Sequence, residues 1–434
     1  MKYLFLVLSL ILVNVGKTEA SITRNNDSNL VITDLLDSAE AYAKKDVLLA
    51  KSLAVKAAGY AENLGLDYQY ARAVFIQGYI NQVNKEMDTA IVSYLKASAL
   101  MFNMRDEQSK RLNAICSRNI GLIFSNYSQL AKAREYFGKS IDISNEIGDH
   151  NLERLVLYDR ARVLRKQDDF VAAIDDLFRA TEIAMEDDQF EFLVRANNQL
   201  GLLFKDVGDY EKAMTHYAEV FRYRNHNIRS FANHAGRAYH NMANIYLYQG
   251  DSAKAEAYFL KAIDERVDNN FKSKAFYSFM DLAELYQQQG KWTLAEKYYT
   301  EAVNSGFSLK GKQERFKVYK QIADLAILQN NVGKFVEYNA QYTAMLEEVV
   351  SRNVEIQQLD QQHNIELVTE RYFELVAAKQ REEDLRQWAT WAIILILLSV
   401  ATIATILKVR ALRNKRLMEK ELQEVLVDLN LNDL

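Results

Sequence analysis

The chain has 434 residues, 49% hydrophobic and 26% charged, with a net charge of −4, 15 glycines and no proline. Average usage of about 7% glycine and about 5% proline would give on the order of 30 and 20. Pro-rich linkers and collagen-like segments are therefore excluded, and a many-turned β-sandwich or a Gly-looped nucleotide fold is short of the residues its turns require. An almost wholly helical chain with apolar residues enough for a continuous core remains; its net charge argues against general nucleic-acid binding.

Residues 1–20, MKYLFLVLSLILVNVGKTEA, place a charged Lys2 before an apolar stretch from Tyr3 to Val15 and end at Ala20. That order predicts a secretory signal, because an apolar run of this length reaches only about 20 Å as a helix against roughly 30 Å of bilayer core.

From residue 31 to 345 a small residue recurs at Gly78, Gly121, Ala161, Gly201, Ala243, Ala283 and Ala323, at intervals of 40 to 43. Twelve residues after each stands Ala90, Ala133, Ala173, Ala213, Ala255 or Ala295, and at the last unit Phe335. Bulky residues keep fixed offsets, as in the pairs Phe204/Tyr217, Tyr246/Phe259 and Tyr286/Tyr299. The pattern predicts two antiparallel helices per unit, small residues where they approach closely and aromatics filling the seam to the next unit. A weaker copy at 31–65 brings the count to eight units, and the last, with Asn330–Asn331 at its turn, is expected to cap the stack.

The highly charged stretch 346–387 places Ile365, Val368, Tyr372 and Leu375 at 3-4-3 spacing, which predicts a helix able to pair across a homodimer. Residues 388–407, WATWAIILILLSVATIATIL, are uncharged and open with Trp388 and Trp391; they are expected to form a transmembrane helix. Its C-terminal flank carries Lys408, Arg410, Arg413, Lys415 and Arg416 without an acid, so residues 408–434 are expected in the cytoplasm. Met418, Leu422, Val425 and Leu429 there form a second coiled-coil candidate. The expected topology is a single-pass protein of a bacterial inner membrane with residues 21–387 outside, in the periplasm.

The segments QLGLLFKDVGDYEKAMTHYAEV, NMANIYLYQGDSAKAEAYFLKA and DLAELYQQQGKWTLAEKYYTEA resemble tetratricopeptide repeats, including the turns Gly208–Asp209, Gly250–Asp251 and Gly290–Lys291. The resemblance implies an all-α solenoid of about eight helical hairpins over 21–345. That family's usual period is 34, with a proline near the end of the second helix; here the period is 40 without proline, so the second helices are expected to be longer. An array of this kind followed by a charged helix, one span and a short coiled coil also resembles the sensor region of membrane-bound diguanylate cyclases and sensor histidine kinases, with the catalytic domain absent.

Chemistry-bearing constellations are scarce. Gly138-Lys139-Ser140 lacks the earlier glycine of a phosphate loop and lies in a repeat helix. His216, His226, His234 and His240 lack the i, i+4 spacing of metal ligands and are expected as scattered surface residues. Cys116, the single cysteine, is expected as a small core residue. No catalytic residue, cofactor or metal is expected, and the chain is read as a binding protein rather than an enzyme.

One charge feature stands out: Val220 to Gly250 contains no acid while Arg222, Arg224, Arg229 and Arg237 are present. The resemblance implies that the first helix of each unit lines a concave face. Its exposed positions would carry Arg118 and Asn119 in unit three, Arg162 and Arg165 in unit four, and Arg195, Asn198 and Lys205 in unit five. Unit six would add Arg237, Asn241 and Asn244, with His240 between them. Such a surface suits an acidic peptide or a C-terminal carboxylate, since arginine offers paired donors and asparagine can bond a peptide backbone.

Overall fold

A computed structural model of the chain describes residues 28–305 and 312–354, together with 381–382, 384–396, 398–399, 402–414, 418 and 420. The first of the two compact units, Met1–Ile365, contains the repeat array. Its helices are α1 (28–42), α2 (Val47–Asn63), α3 (Asp67–Val83), α4 (Met87–Met101), α5 (Glu107–Asn126), α6 (Leu130–Glu146), α7 (His150–Lys166) and α8 (Phe170–Glu186). They continue as α9 (Phe190–Asp206), α10 (Tyr210–Glu219), α11 (Phe231–Tyr248), α12 (Ser252–Val267), α13 (Phe276–Gln288), α14 (Trp292–Asn304), α15 (Lys312–Leu328) and α16 (Val332–Val354). Successive pairs form eight antiparallel hairpins among the described residues, an all-α repeat solenoid.

Seven of the eight hairpins, all but α1–α2, are closed by the same local chemistry. The chain leaves the first helix through one left-handed residue: Gly208, Gly250 and Gly290 at φ +82, +80 and +71°, or Lys85, Ser128, Asp168 and Asn330 where glycine is absent. Two crossed backbone bonds then satisfy the helix-end carbonyls, as when Asp209 N–H donates to Phe204 O and Gly208 N–H to Lys205 O. Where the next residue is aspartate it caps the second helix, Asp209 and Asp251 accepting from the backbone N–H of Lys212 and Lys254. Proline is not needed to end these helices, because a left-handed residue already does so.

The recurrent small residues lie where the two helices of a unit cross. A Cβ added at Gly201 would stand 2.5 Å from Tyr217 Cε1, and at Gly121, 2.8 Å from Phe137. Ala90, Ala133, Ala173, Ala213, Ala255 and Ala295 are all fully buried. Odd-numbered helices also touch across units, α3 with α5, α5 with α7 and α9 with α11, while consecutive even-numbered helices have no comparable contact. That asymmetry places the first helices on the inner side of the stack. The longer period is shared between the two helices of a unit rather than confined to the second: α7, α8 and α9 each have 17 residues.

Two expectations are corrected. Among the described residues no helix is long and apolar enough to cross a membrane. The described residues of the expected span, 388–396, 398–399 and 402–407, are helical, and Lys408, Arg410 and Arg413 follow them. The transmembrane helix is therefore withdrawn from the fold, and the single-pass inner-membrane placement, with repeats in the periplasm and C-terminus in the cytoplasm, goes with it. The expected signal at 1–20 and the pairing positions Ile365, Val368, Tyr372 and Leu375 lie outside the described residues, as do Leu422, Val425 and Leu429.

Candidate functional site

The expected basic groove divides into two regions of different character. In units three and four Arg118 and Arg165 are engaged in an ion-pair ladder between successive inner helices. Arg118 on α5 holds Asp159 on α7 at 2.7 Å, and Arg165 on α7 pairs with Asp206 on α9. Arg162 stands 4.0 Å from Asp159 and is exposed. Since Asp159 is buried, removing Arg118 would strand a desolvated carboxylate, so this residue holds units together. Asn119 is separate from the ladder and lines a cavity of about 380 Å³ with Glu40, Lys44, Phe75, Tyr79, Gln82 and Val83, drawn from α1, the α1–α2 turn, α3 and α5.

Units five to seven differ. On α9, Arg195 stacks 4.8 Å over the Tyr158 ring, and Lys205 makes no ion pair among the described residues. Asn198 is buried; its Nδ2 donates to Val194 O and across the seam to His234 O, tying α9 to α11, while Oδ1 has no partner. On α11, Arg237 is exposed and likewise forms no ion pair among the described residues. Asn241 is buried beside it. One turn on, Asn244 Nδ2 lies 3.2 Å from His240 Nε2.

The seam between α11 and α13 holds groups that sequence reasoning missed. Arg266, from the last turn of α12, passes across Gly236 and donates to Ser278 Oγ at 3.2 Å. Ser278 Oγ is also 3.2 Å from His240 Nδ1, and Asp281 Oδ2 is 3.6 Å from His240 Nε2. With Asn244 donating to Nε2, the ring proton sits on Nδ1 and is given to Ser278, whose oxygen then accepts from both neighbours. Burial, reinforced by Arg266, Lys205 and Arg237, pushes His240 down to about 3. Burial pushes Asp281 up to about 6, Glu284 acting in the same direction and Asn244 and Lys205 against it.

Serine, histidine and aspartate in one chain of contacts invite a catalytic reading, and the geometry denies it. Ser278 is fully buried and its oxygen is committed to a guanidinium. A histidine whose proton affinity is this low cannot serve as a general base near neutrality. The arrangement can fix helices and present charge.

Of the four histidines expected at the surface, His226 is exposed there, whereas His216 and His240 are half-buried and His234 is buried. His216 stacks on Phe204 with centroids 5.2 Å apart, His226 packs 4.1 Å from Phe190, and His234 and His240 sit in the seams on either side of Arg237. Among the described residues no cluster of three metal-ligating side chains occurs. Cys116 is fully buried, and burial pushes its thiol up, so it is a core residue. Ser140 lies within α6 and donates to Ala114 O, which removes the phosphate-loop reading. The signal for Ser278 and Asp281 was available in principle: they occupy in α13 the places of Ala238 and Asn241 in α11, forty residues earlier.

Residues 192–264 and 278–308 match family models described as tetratricopeptide repeat. No curated protein matches the sequence. Among solved structures, the chain is similar to a signal transduction ATPase with numerous domains, bearing a tetratricopeptide repeat sensor, from Pyrococcus horikoshii. The likeness has 15% identity, covers 75% of this chain and 50% of that one, and gives a TM-score of 0.51. A tetratricopeptide repeat protein from Parabacteroides merdae aligns at 15% identity, covering 67% of this chain and 98% of that one, with a TM-score of 0.47. The apo quorum sensor NprR from B. thuringiensis aligns at 14% identity, covering 73% and 98%, with a TM-score of 0.46. None of these is a membrane-bound cyclase or histidine kinase. The chain thus carries tetratricopeptide repeats in a solenoid of that type.

Proposed function

We propose that the array is a non-enzymatic binding module that holds an extended segment of a protein or peptide against α7, α9, α11 and α13, as a scaffold or a receptor. The segment is acidic or ends in a free carboxylate. The observation that carries this reading is Arg237: an exposed guanidinium on an inner helix, without an ion pair among the described residues, in the stretch Val220 to Gly250 that contains no acid. Lys205, Arg195, Asn241 and Asn244 stand on the same run of inner helices and supply donors for carboxylates and peptide groups. Arg162 extends the run to α7, whereas Arg118 and Arg165 contribute through the ion-pair ladder rather than as open donors.

The test is binding of a fluorescein-labelled acidic octapeptide, measured by anisotropy at two salt concentrations. The wild-type chain binds it and loses affinity with salt. Arg162→Glu combined with Arg237→Glu abolishes binding while circular dichroism keeps the helical signal. Equal binding by the double variant refutes the assignment.

A further inference from the structure

Val171, Phe178 and Met185 follow one another at two-turn intervals on the outer helix α8 and are 83%, 40% and 58% exposed. They share one face of the helix, over about 21 Å at about 1.5 Å per residue. Phe178 leans on Phe204 and His216, which hold its ring in place. The solenoid does not require this ridge. α8 packs on α7 and α9 and buries Ala173, Leu177, Ala180 and Ala184 on its other side. In the unit before, the same places hold Ala131, Gly138 and Asn145, and in the unit after, Glu211, Ala218 and Asn225. The border of the ridge is acidic: Asp175, Glu182 and Glu186 are exposed and form no ion pair among the described residues. Arg179, the cation beside them, is turned away to Glu153 and Asn145. Glu182 and Glu186, one turn apart, repel each other.

We propose that this face of α8 is a docking site for an amphipathic helix of another protein, with apolar residues at 3-4 spacing and lysine or arginine beside them. Apolar ridges bordered by polar residues mark contacts between proteins. Residues at that spacing interleave with Val171, Phe178 and Met185 as the ridge of one helix enters the groove of another. The basic flank offsets three carboxylates that have no cation of their own. A second copy of α8 is disfavoured by the same acids: packed antiparallel about Phe178, two copies would set Asp175 of one against Glu182 of the other. The site lies on the outer side of the stack and does not depend on the inner-groove reading.

The probe is a fluorescein-labelled helical peptide of about 18 residues, long enough to cover the ridge, with leucine at 3-4 spacing and lysine elsewhere. Its counterpart has glutamate for every lysine. The full chain binds the lysine peptide, less tightly as salt rises, and does not bind the glutamate peptide. Val171→Ser with Met185→Ser lowers the affinity by about tenfold or more and leaves the melting midpoint unchanged, both side chains being exposed. Asp175→Asn with Glu182→Gln also weakens binding and flattens its salt dependence. Leu48→Ser with Val55→Ser has no effect: it removes an exposed pair of the same spacing on α2, where Lys51 and Lys56 stand beside it. Unchanged affinity in the α8 serine variant, or equal binding of the two peptides, overturns the proposal. Sedimentation that shows a dimer of the full chain, abolished by the serine variant, overturns it too, the occupant then being a second copy. Arg162→Glu with Arg237→Glu leaves lysine-peptide binding intact, so the outer site and the inner groove fail separately.

Discussion

Two helical glycines should respond to the same substitution with opposite signs. Gly201 lies in α9 under Tyr217, and an added Cβ would stand 2.5, 2.7 and 2.8 Å from three ring atoms. Carbon atoms in contact prefer about 3.5–4.0 Å, so Tyr217 or α10 must move by roughly 1 Å. Tyr217 is fully buried and has nowhere to turn. Overpacking of this kind costs about 1–3 kcal/mol, against about 1 kcal/mol gained from helix propensity. With three contacts this short the cost falls in the upper half of that range, about 2–3 kcal/mol, so Gly201→Ala should destabilise by about 1–2 kcal/mol. Gly138 lies in α6 with nothing within 4 Å of an added Cβ. Gly138→Ala should stabilise by about 0.5–1 kcal/mol, since only the propensity term survives. Urea denaturation gives the midpoints, and amide exchange in α9 and α10 gives the local effect. Unit four already pairs Ala161 with Leu177, so Gly201→Ala with Tyr217→Leu should recover part of the loss. A Gly201→Ala chain as stable as the wild type would refute the close-crossing account of the repeat.

Two further outcomes follow from local geometry. Lys85 sits at φ +64° in the α3–α4 turn, where a Cβ costs energy, so Lys85→Gly should raise stability by about 1 kcal/mol in the same denaturation assay. Burial depresses His234 to about 4 and His240 to about 3, so each contributes stability above its ordinary titration range that is lost as pH falls from 6.5 toward those values. Asp281, raised to about 6, acts the other way, its contribution being present near pH 4 and lost as pH rises through 6. The histidines outweigh it, giving a net loss on the order of a few kcal/mol between pH 6.5 and 4. His234→Phe should flatten that slope in urea midpoints measured across the range, and an unaltered slope would contradict the assignment.

The fold was legible because stacking repeats its demands. Units two to seven each have a small residue at the crossing, an alanine twelve positions later and a left-handed turn, as Gly201, Ala213 and Gly208 do together. The membrane expectation rested on a count of uncharged residues over 388–407, and it is overturned by the finding that no helix among the described residues is long and apolar enough to cross a membrane. The groove was legible only in part. Periodicity marks which residues stand on the inner helices, but not whether an arginine there finds an acid one unit away, as Arg118 finds Asp159. Arg266 was invisible for the same reason: it is placed on a second helix and acts in the seam between two first helices.

The most direct test of the central claim is amide hydrogen exchange of the full chain with and without the acidic octapeptide, resolved helix by helix. The account predicts added protection in α9, α11 and α13, with α10, α12 and α14 unchanged. Protection on the even-numbered helices, or none at saturating peptide, would contradict it.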